Sequence, residues 1–491
     1  MRRMSTASAA SVLSSAAVPS SPSSAPAWIG GMRDVSREHG FEPLRVRGKI
    51  PEGLAGTLYR NGPGRFSAAG KERYGHWFDG DGAICAVRLA EGRATGAVRV
   101  VRTEGLEREE RAGKRLFGGY GTPLARPIRE IFFGDTKNPA NTSVLLWQGR
   151  LFATCEADKP YEIARGDLST LGESDLGGAL AGPFSAHPHR VPSRRTTYNF
   201  GLGHGRTTQV DVYALPDEGR GRRIASFVLD GIRLNHDFAV TQNHLVFAFA
   251  PHYMSLVNAV VLRRPPVASA KWRAARGTEI VVIPIDDPTT VRRFRVDAFL
   301  LEHVVNAFEE DGRLVVDYTH YAHADGLERF AGGLTAGRVE APLESQIRRM
   351  RIDVLQERVD SETILARPVE LPRVSPRVEC GRHRHAYMGG FRSGADGAFG
   401  ELLKLDVESG RVDTYDPGAR AYLGEGVFVP RPGATAEDDG WLLTIVYDAS
   451  VDASRLEILD ARNLADGPIA SCAFDQAIPF GFHGMFDGTA D

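Results

Sequence analysis

Acidic-glycine turns recur along most of this chain, and short apolar runs lie between them. FDGDG (78–82), EEDGR (309–313), ESGR (408–411) and EDDG (437–440) bound runs such as AICAVRL (83–89), SVLLWQGRLFATC (143–155), GRLVVDY (312–318), ELLKLDV (401–407) and WLLTIVYD (441–448). Asp-Gly between alternating hydrophobic residues is a strong hairpin signal, because both turn positions need φ > 0. With 54 glycines and 28 prolines in 491 residues, the pattern predicts an all-β protein. The helical candidates, Pro123–Phe132 and Pro342–Ile352, are short. Many hairpins in series suit stacked sandwiches or a β-propeller, and no WD or kelch-like repeat decides between them. Residues 251–277 and 320–346 are too long for hairpin loops and are expected to cap one face.

The stretch Ile232–Ala250, IRLNHDFAVTQNHLVFAFA, reads as a hairpin with its turn at Thr241–Asn243. Its second arm is apolar at every position, as in a strand buried on both faces. His236 and Asp237 lie inside it, and a buried imidazole must hydrogen-bond or ligate something. Three other histidines sit among apolar or small residues at apparent strand ends: His187, His303 and His483. Their spacing matches no local zinc motif. In a propeller the inner strands of successive blades line one axis, so distant residues can converge. An imidazole-only site suits iron, copper, zinc or nickel; the alternative is scattered structural histidines. His189, His204, His244, His252, His320, His323, His383 and His385 are expected to be solvated or structural.

The formal net charge of −2 carries no electrostatic footprint for nucleic acid. The four cysteines form no CxxC pair, which favours a reducing, cytoplasmic setting over a disulfide framework. No apolar run reaches membrane-spanning length. Residues 1–28 are Ser/Ala/Pro-rich, lack the Leu/Val core of a signal peptide, and are expected to form a disordered tail before a single domain at 29–491. Residues 116–133 combine Phe117, Leu124, Ile128, Phe132 and Phe133 with Arg126 and Arg129, a composition that fits a peripheral membrane contact.

YRNGPGRF (59–66), HWFDGDG (76–82), NTSVLLWQGRLFATCEADKPYEI (141–163), SAHP (185–188), HDFAVT (236–241), HVVNAFEE (303–310), EGVFVPRPGATAEDDGWLL (425–443) and GFHGMF (481–486) together resemble the signature blocks of the carotenoid cleavage oxygenases, in the family's order. The 138–163 block is most similar to the bacterial apocarotenoid branch. The resemblance implies a seven-bladed β-propeller with a loop and short-helix cap. It implies Fe(2+) held by His187, His236, His303 and His483, with Glu156, Glu370 and Glu425 behind His236, His303 and His483. Such carboxylates fix ring orientation and offset the charge that four neutral imidazoles leave on the metal. Thr142 matches a threonine close to the open coordination position. The chain departs from the family pattern at Glu302 and Cys155, where aromatic residues are usual, and at Gly426, where proline is. Glu302 either points away along its strand or perturbs the site.

The implied activity is a dioxygenase cleaving a C=C bond of a lipophilic polyene with O2, most simply an apocarotenoid giving a retinal-like aldehyde. The alternatives are a stilbenoid-cleaving enzyme, for which Lys137 and Tyr120 are candidate phenol partners, and a non-cleaving, lipid-binding or isomerising propeller. The sequence leaves the oligomeric state open.

Overall fold

The computed structural model describes residues 25–123, 137–156, 158–255, 265–339, 343–392 and 397–488. The strands form a seven-bladed β-propeller of antiparallel sheets. Blade 1 contains Gly56–Arg65, Asp81–Ala90 and Arg93–Val100, and it also takes in His39–Pro43 and the C-terminal strand Gly484–Asp487. Blades 2 to 6 cover 143–173, 189–229, 239–296, 300–365 and 369–415. Blade 7 runs from 421 to 473 and is completed by the N-terminal strand Arg45–Gly48. Strands from both ends of the chain therefore lock the ring.

Ring closure explains the doubly apolar strands. Leu245, Phe247 and Phe249 pack towards blade 3 with Phe200 and Val212. Val246 and Ala248, on the opposite face, pack towards blade 5 with Leu301 and Val316. Every blade meets two neighbours in this way, and the last core joins Leu58, Ala83 and Val87 of blade 1 to Leu443 and Leu456 of blade 7. The turn chemistry is as expected: Asp311 and Gly312 have φ of 50° and 75° in a two-residue hairpin turn.

The seven innermost strands begin at Ser143, His189, Ala239, Leu300, Val369, Val427 and Gly484. Thr142, His187, His236, His303, Glu370, Glu425 and His483 thus lie at, or within four residues of, the same end of successive inner strands. The topology brings to one place residues that the sequence keeps far apart.

Two expectations are corrected here. Residues 232–250 are not one hairpin: Ile232–Arg233 pairs with 253–254, and only 239–249 forms the hairpin. Leu234–Phe238, which carries His236, crosses between sheets. The reading of Pro342–Ile352 as a helix fails, because Gln346–Asp353 is a strand between two others. Sheet partners on both sides override its helix-compatible composition. The cap helix is instead Asp325–Thr335, whose Phe330, Ala331 and Leu334 are buried.

Residues 27 and 28, read from the sequence as the end of a tail, belong to an ordered element, and residues 1–24 lie outside the described residues. Ala27–Met32 is a 3-10 helix, and Trp28 is fully buried with Trp77, Phe330 and Phe482. Trp28→Ala is expected to cost about 3–5 kcal/mol, read as a fall in Tm. A tail residue would give no change.

Candidate metal centre

The four imidazoles converge at the axial end of the ring, with one ligand atom from each within 4.8 Å of the others. His303 is the hub: its Nε2 lies 3.0 Å from His236 Nε2 and 3.2 Å from His483 Nε2. The His187 ring centroid is 4.2 Å from that of His236 and 4.7 Å from that of His483.

Three carboxylates hold the far ring nitrogens. His303 Nδ1 meets Glu370 Oε2 at 2.5 Å, His483 Nδ1 meets Glu425 Oε1 at 2.9 Å, and His236 Nδ1 contacts Glu156. The expected pairings are therefore the observed ones. Each contact directs a proton to Nδ1 and leaves Nε2 free to ligate. Among the described residues His187 has no such partner within hydrogen-bonding distance: Asp237 Oδ2 is 3.8 Å from its Nδ1, and its buried Nε2 has no hydrogen bond.

The carboxylates are themselves held. Glu370 accepts from Tyr321 Oη at 2.6 Å and from the Leu371 amide at 3.0 Å. Leu371 adopts φ 57°, a left-handed conformation that costs a residue with a Cβ about 1–3 kcal/mol. Glu425 accepts from Arg373 Nε at 2.6 Å and the Gly484 amide at 2.7 Å, with Arg60 Nη1 at 3.7 Å. Burial raises the Glu425 pKa, but Arg373, His483 and Arg60 outweigh it and hold the group well below the usual carboxylate range. Glu370 is likewise lowered: burial is outweighed by His303 and the Tyr321 hydroxyl.

Burial and the other three imidazoles push His187 well below its ordinary value, and burial takes His483 down to about 4 despite Glu425. Both rings are neutral at neutral pH and offer a lone pair. For His236 burial works the other way from its carboxylates, and Glu156 with Glu302 lifts it to about 10. Four converging imidazole nitrogens, an orphaned buried Nε2 and three carboxylates on the outer nitrogens fit a divalent metal ion of borderline softness.

A cavity of about 570 Å³ opens onto this cluster, a size typical of small-molecule sites. Trp77, Phe78, Phe117, Phe200, Phe399 and Phe482 give it an aromatic wall, and Thr142 and Cys155 also line it. The Thr142 hydroxyl donates to Asn141 Oδ1 at 3.0 Å, and its carbonyl accepts the His483 amide at 3.2 Å. The polar wall groups include Glu302, Tyr120, Glu328, His204 and His252. Tyr120 Oη donates to Glu328 at 2.5 Å.

Several residues take places that the sequence did not give them. Phe117, expected at a membrane surface, is 3% exposed and lines the cavity, with Arg108 over its ring. Leu124, Ile128, Phe132 and Phe133 lie outside the described residues. Lys137 is engaged by Asp81 at 2.6 Å and Glu109 and Tyr74 at 2.7 Å, so its charge is already paired. His204 and His252 line the cavity, His204 as an exposed residue at the end of its strand. His189 is structural, 2.8 Å from Asp237, whose other oxygen accepts the Val304 amide. Glu302 does not point away from the site; burial lifts its pKa to about 7, against the pull of His236 and His303. Gly426 packs where an added Cβ would meet the Leu402 side chain at 2.8 Å.

Sequence reasoning missed Arg60, Arg373 and Tyr321. Arg60 had a signal, since it stands between Tyr59 and Asn61 in an otherwise uncharged run. Arg373 and Tyr321 had none beyond their apolar neighbours.

Residues 32–487 match the family described as retinal pigment epithelial membrane protein. The apocarotenoid-15,15′-oxygenase of Synechocystis is 31% identical over 94% of this chain and 96% of that protein. A carotenoid cleavage oxygenase of Mycobacterium tuberculosis is 30% identical, covering 94% and 97%. The cobalt-substituted Synechocystis apocarotenoid oxygenase superposes with a TM-score of 0.86 at 30% identity, over 94% of this chain and 98% of that one. Fold and sequence agree along nearly the whole length, and the chain belongs to the carotenoid oxygenase family that includes retinal pigment epithelial membrane protein.

Proposed function

We propose that this chain is a non-haem iron(II) dioxygenase that cleaves a C=C bond of an apocarotenoid or related carotenoid. The observation that carries this reading is the four-imidazole cluster facing an aromatic cavity. His187, His236, His303 and His483 would hold the iron, whose bound chemistry is to make dioxygen reactive towards an electron-rich alkene. One C=C bond and one O2 give two carbonyl groups, so no protein nucleophile is consumed. The chain's own work is positional: Trp77, Phe78 and Phe482, packed on one another at the cavity wall, offer a conjugated chain an aromatic surface that disfavours water. Glu156, Glu370 and Glu425 keep the ligand rings turned inward. Thr142 stands on the cavity wall beside the His483 backbone.

The Tyr120–Glu328 pair favours a second reading, a substrate with a phenolic or other hydroxyl group, as in a hydroxylated stilbene. An apocarotenal and a hydroxylated stilbene competing at equal concentration separate the two. The expected outcome is a kcat/KM larger by a wide margin for the apocarotenal, with two aldehydes identified by mass. Preference for the stilbene would transfer the reaction to that substrate class.

Phe117, Tyr120, Thr122, Lys137, Asn141 and Thr142, on either side of the segment 124–136 in the sequence, contribute to the cavity wall. We read Leu124, Ile128, Phe132 and Phe133 of that segment as a contact with the membrane from which a water-insoluble polyene is drawn. Phe132→Ser with Phe133→Ser is expected to reduce co-flotation with liposomes. Equal flotation would remove the membrane role.

A further inference from the structure

Three of the four converging histidines lie within two residues of a group that one buried side chain, Asp237, holds. Asp237 itself follows His236 in the chain. Its Oδ2 accepts the amide of Val304, the residue after His303, at 2.7 Å. Its Oδ1 accepts the Phe238 amide at 2.7 Å and lies 2.8 Å from Nε2 of His189, two residues beyond His187. His189 begins blade 3, Asp237 leads into blade 4, and Val304 belongs to the inner strand of blade 5. One carboxylate thus ties together the inner strands of three successive blades, at the end that carries the histidines.

The Val304 contact sits at an irregularity in the sheet. The pairing of 300–310 with 313–321 slips between Leu301 and Val304, and such a slip re-aims the side chains at it. Two amides at the slip are bonded to side chains: the His303 amide donates to Thr319 Oγ1 at 2.8 Å, and the Val304 amide to Asp237. A buried amide without an acceptor is costly, so the bulge that turns His303 inward depends on these two acceptors. Thr319 belongs to the next strand of the same sheet, and Asp237 comes from outside that sheet. Glu156, Glu370 and Glu425 set the rotation of individual rings. They leave open how far apart the ligand-bearing backbones stand.

We propose that Asp237 is a positioning residue whose carboxylate fixes the mutual spacing of His187, His236 and His303, so that one metal ion meets all three. This rests on the reading of the cluster as a metal centre. His483 is anchored separately, through Glu425.

Cobalt(II) is the probe, added to the metal-stripped full-length chain as wild type, Asp237→Asn, His189→Leu and Glu457→Gln. Glu457 is a buried carboxylate held by Tyr415 and Arg455, and controls for the loss of a buried charge elsewhere in the ring. Asp237→Asn is expected to bind cobalt roughly 10-fold or more weakly than the wild type, with an altered ligand-field spectrum. His189→Leu, which frees Asp237 from blade 3 alone, should change the spectrum in the same sense and by less. Glu457→Gln should lower Tm and keep the wild-type affinity and spectrum. Wild-type affinity with a superimposable spectrum in Asp237→Asn, whatever its Tm, would overturn the proposal and leave Asp237 a structural contact. The same result in His189→Leu overturns it if Asp237→Asn does not fold. An equal loss of cobalt affinity in Glu457→Gln would also overturn it. Failure of the wild type itself to bind cobalt would strike the metal-centre reading beneath the proposal and remove both.

Discussion

His303→Ala is expected to yield protein without bound metal and without turnover. None of the other three histidines has its position: His303 Nε2 is within 3.2 Å of the Nε2 atoms of both His236 and His483. Its loss removes one donor and unlocks the orientation of the others. It also strands Glu370, which is 3% exposed and keeps only Tyr321 Oη and the Leu371 amide. Leaving a buried carboxylate short of a hydrogen-bond donor costs about 1–3 kcal/mol or more, so Tm should fall as well. Metal analysis and turnover on the same preparation check this. Wild-type metal content in the variant would mean that the cluster is not the site.

Glu425→Ala should damage both the centre and the fold. Glu425 is wholly buried and connects His483 Nδ1, the Gly484 amide, Arg373 and Arg60. Arg60 Nη1 and Nη2 also donate to the backbone carbonyls of Glu425 and Phe482, at 2.8 and 2.9 Å. The carboxylate is thus the anion that offsets the buried Arg60 guanidinium behind His483, with the partly exposed Arg373 on its other side. Without it the cost is about 3–5 kcal/mol. Glu425→Gln keeps the shape and one acceptor, so it should retain most of the stability and lose roughly 10- to 100-fold in metal affinity or activity. Thermal melts separate the two variants, and metal titration of Glu425→Gln isolates the effect on His483. If Glu425→Ala melts like the wild type, the buried charge cluster is not structural.

Local signals in the sequence carried the fold class. Asp311-Gly312 is a turn because both residues must take positive φ, and Leu245–Phe249 is apolar throughout because each face meets another blade. Local signals do not report which sheet flanks which, so Gln346–Asp353 read as helix. They also do not report that Trp28 folds back under the cap. The capped helix Glu104–Ala112 was legible and overlooked: Thr103 accepts the Leu106 amide, and Gly113 closes the helix at φ 63°.

The histidines illustrate the limit at the site. Their spacing was uninformative, since a propeller gathers residues from different blades onto one axis, and only the resemblance of the surrounding blocks named them together. The pairing of Glu156, Glu370 and Glu425 with their rings followed from the same resemblance. Glu302 could not be oriented from sequence, because a one-residue slip in register decides which way it faces. Arg60 and Arg373 were hidden because their anion, Glu425, is distant in the chain.

The central claim is that this cavity converts a polyene and dioxygen into two carbonyl fragments at a four-histidine iron centre. The most direct measurement is mass spectrometry of the products formed by iron-loaded protein from an apocarotenal under isotopically heavy dioxygen. The expected result is two aldehydes whose masses sum to substrate plus one dioxygen, with heavy oxygen in the new carbonyls. Recovery of polyene at unchanged mass, as starting material or as a geometric isomer, would contradict it.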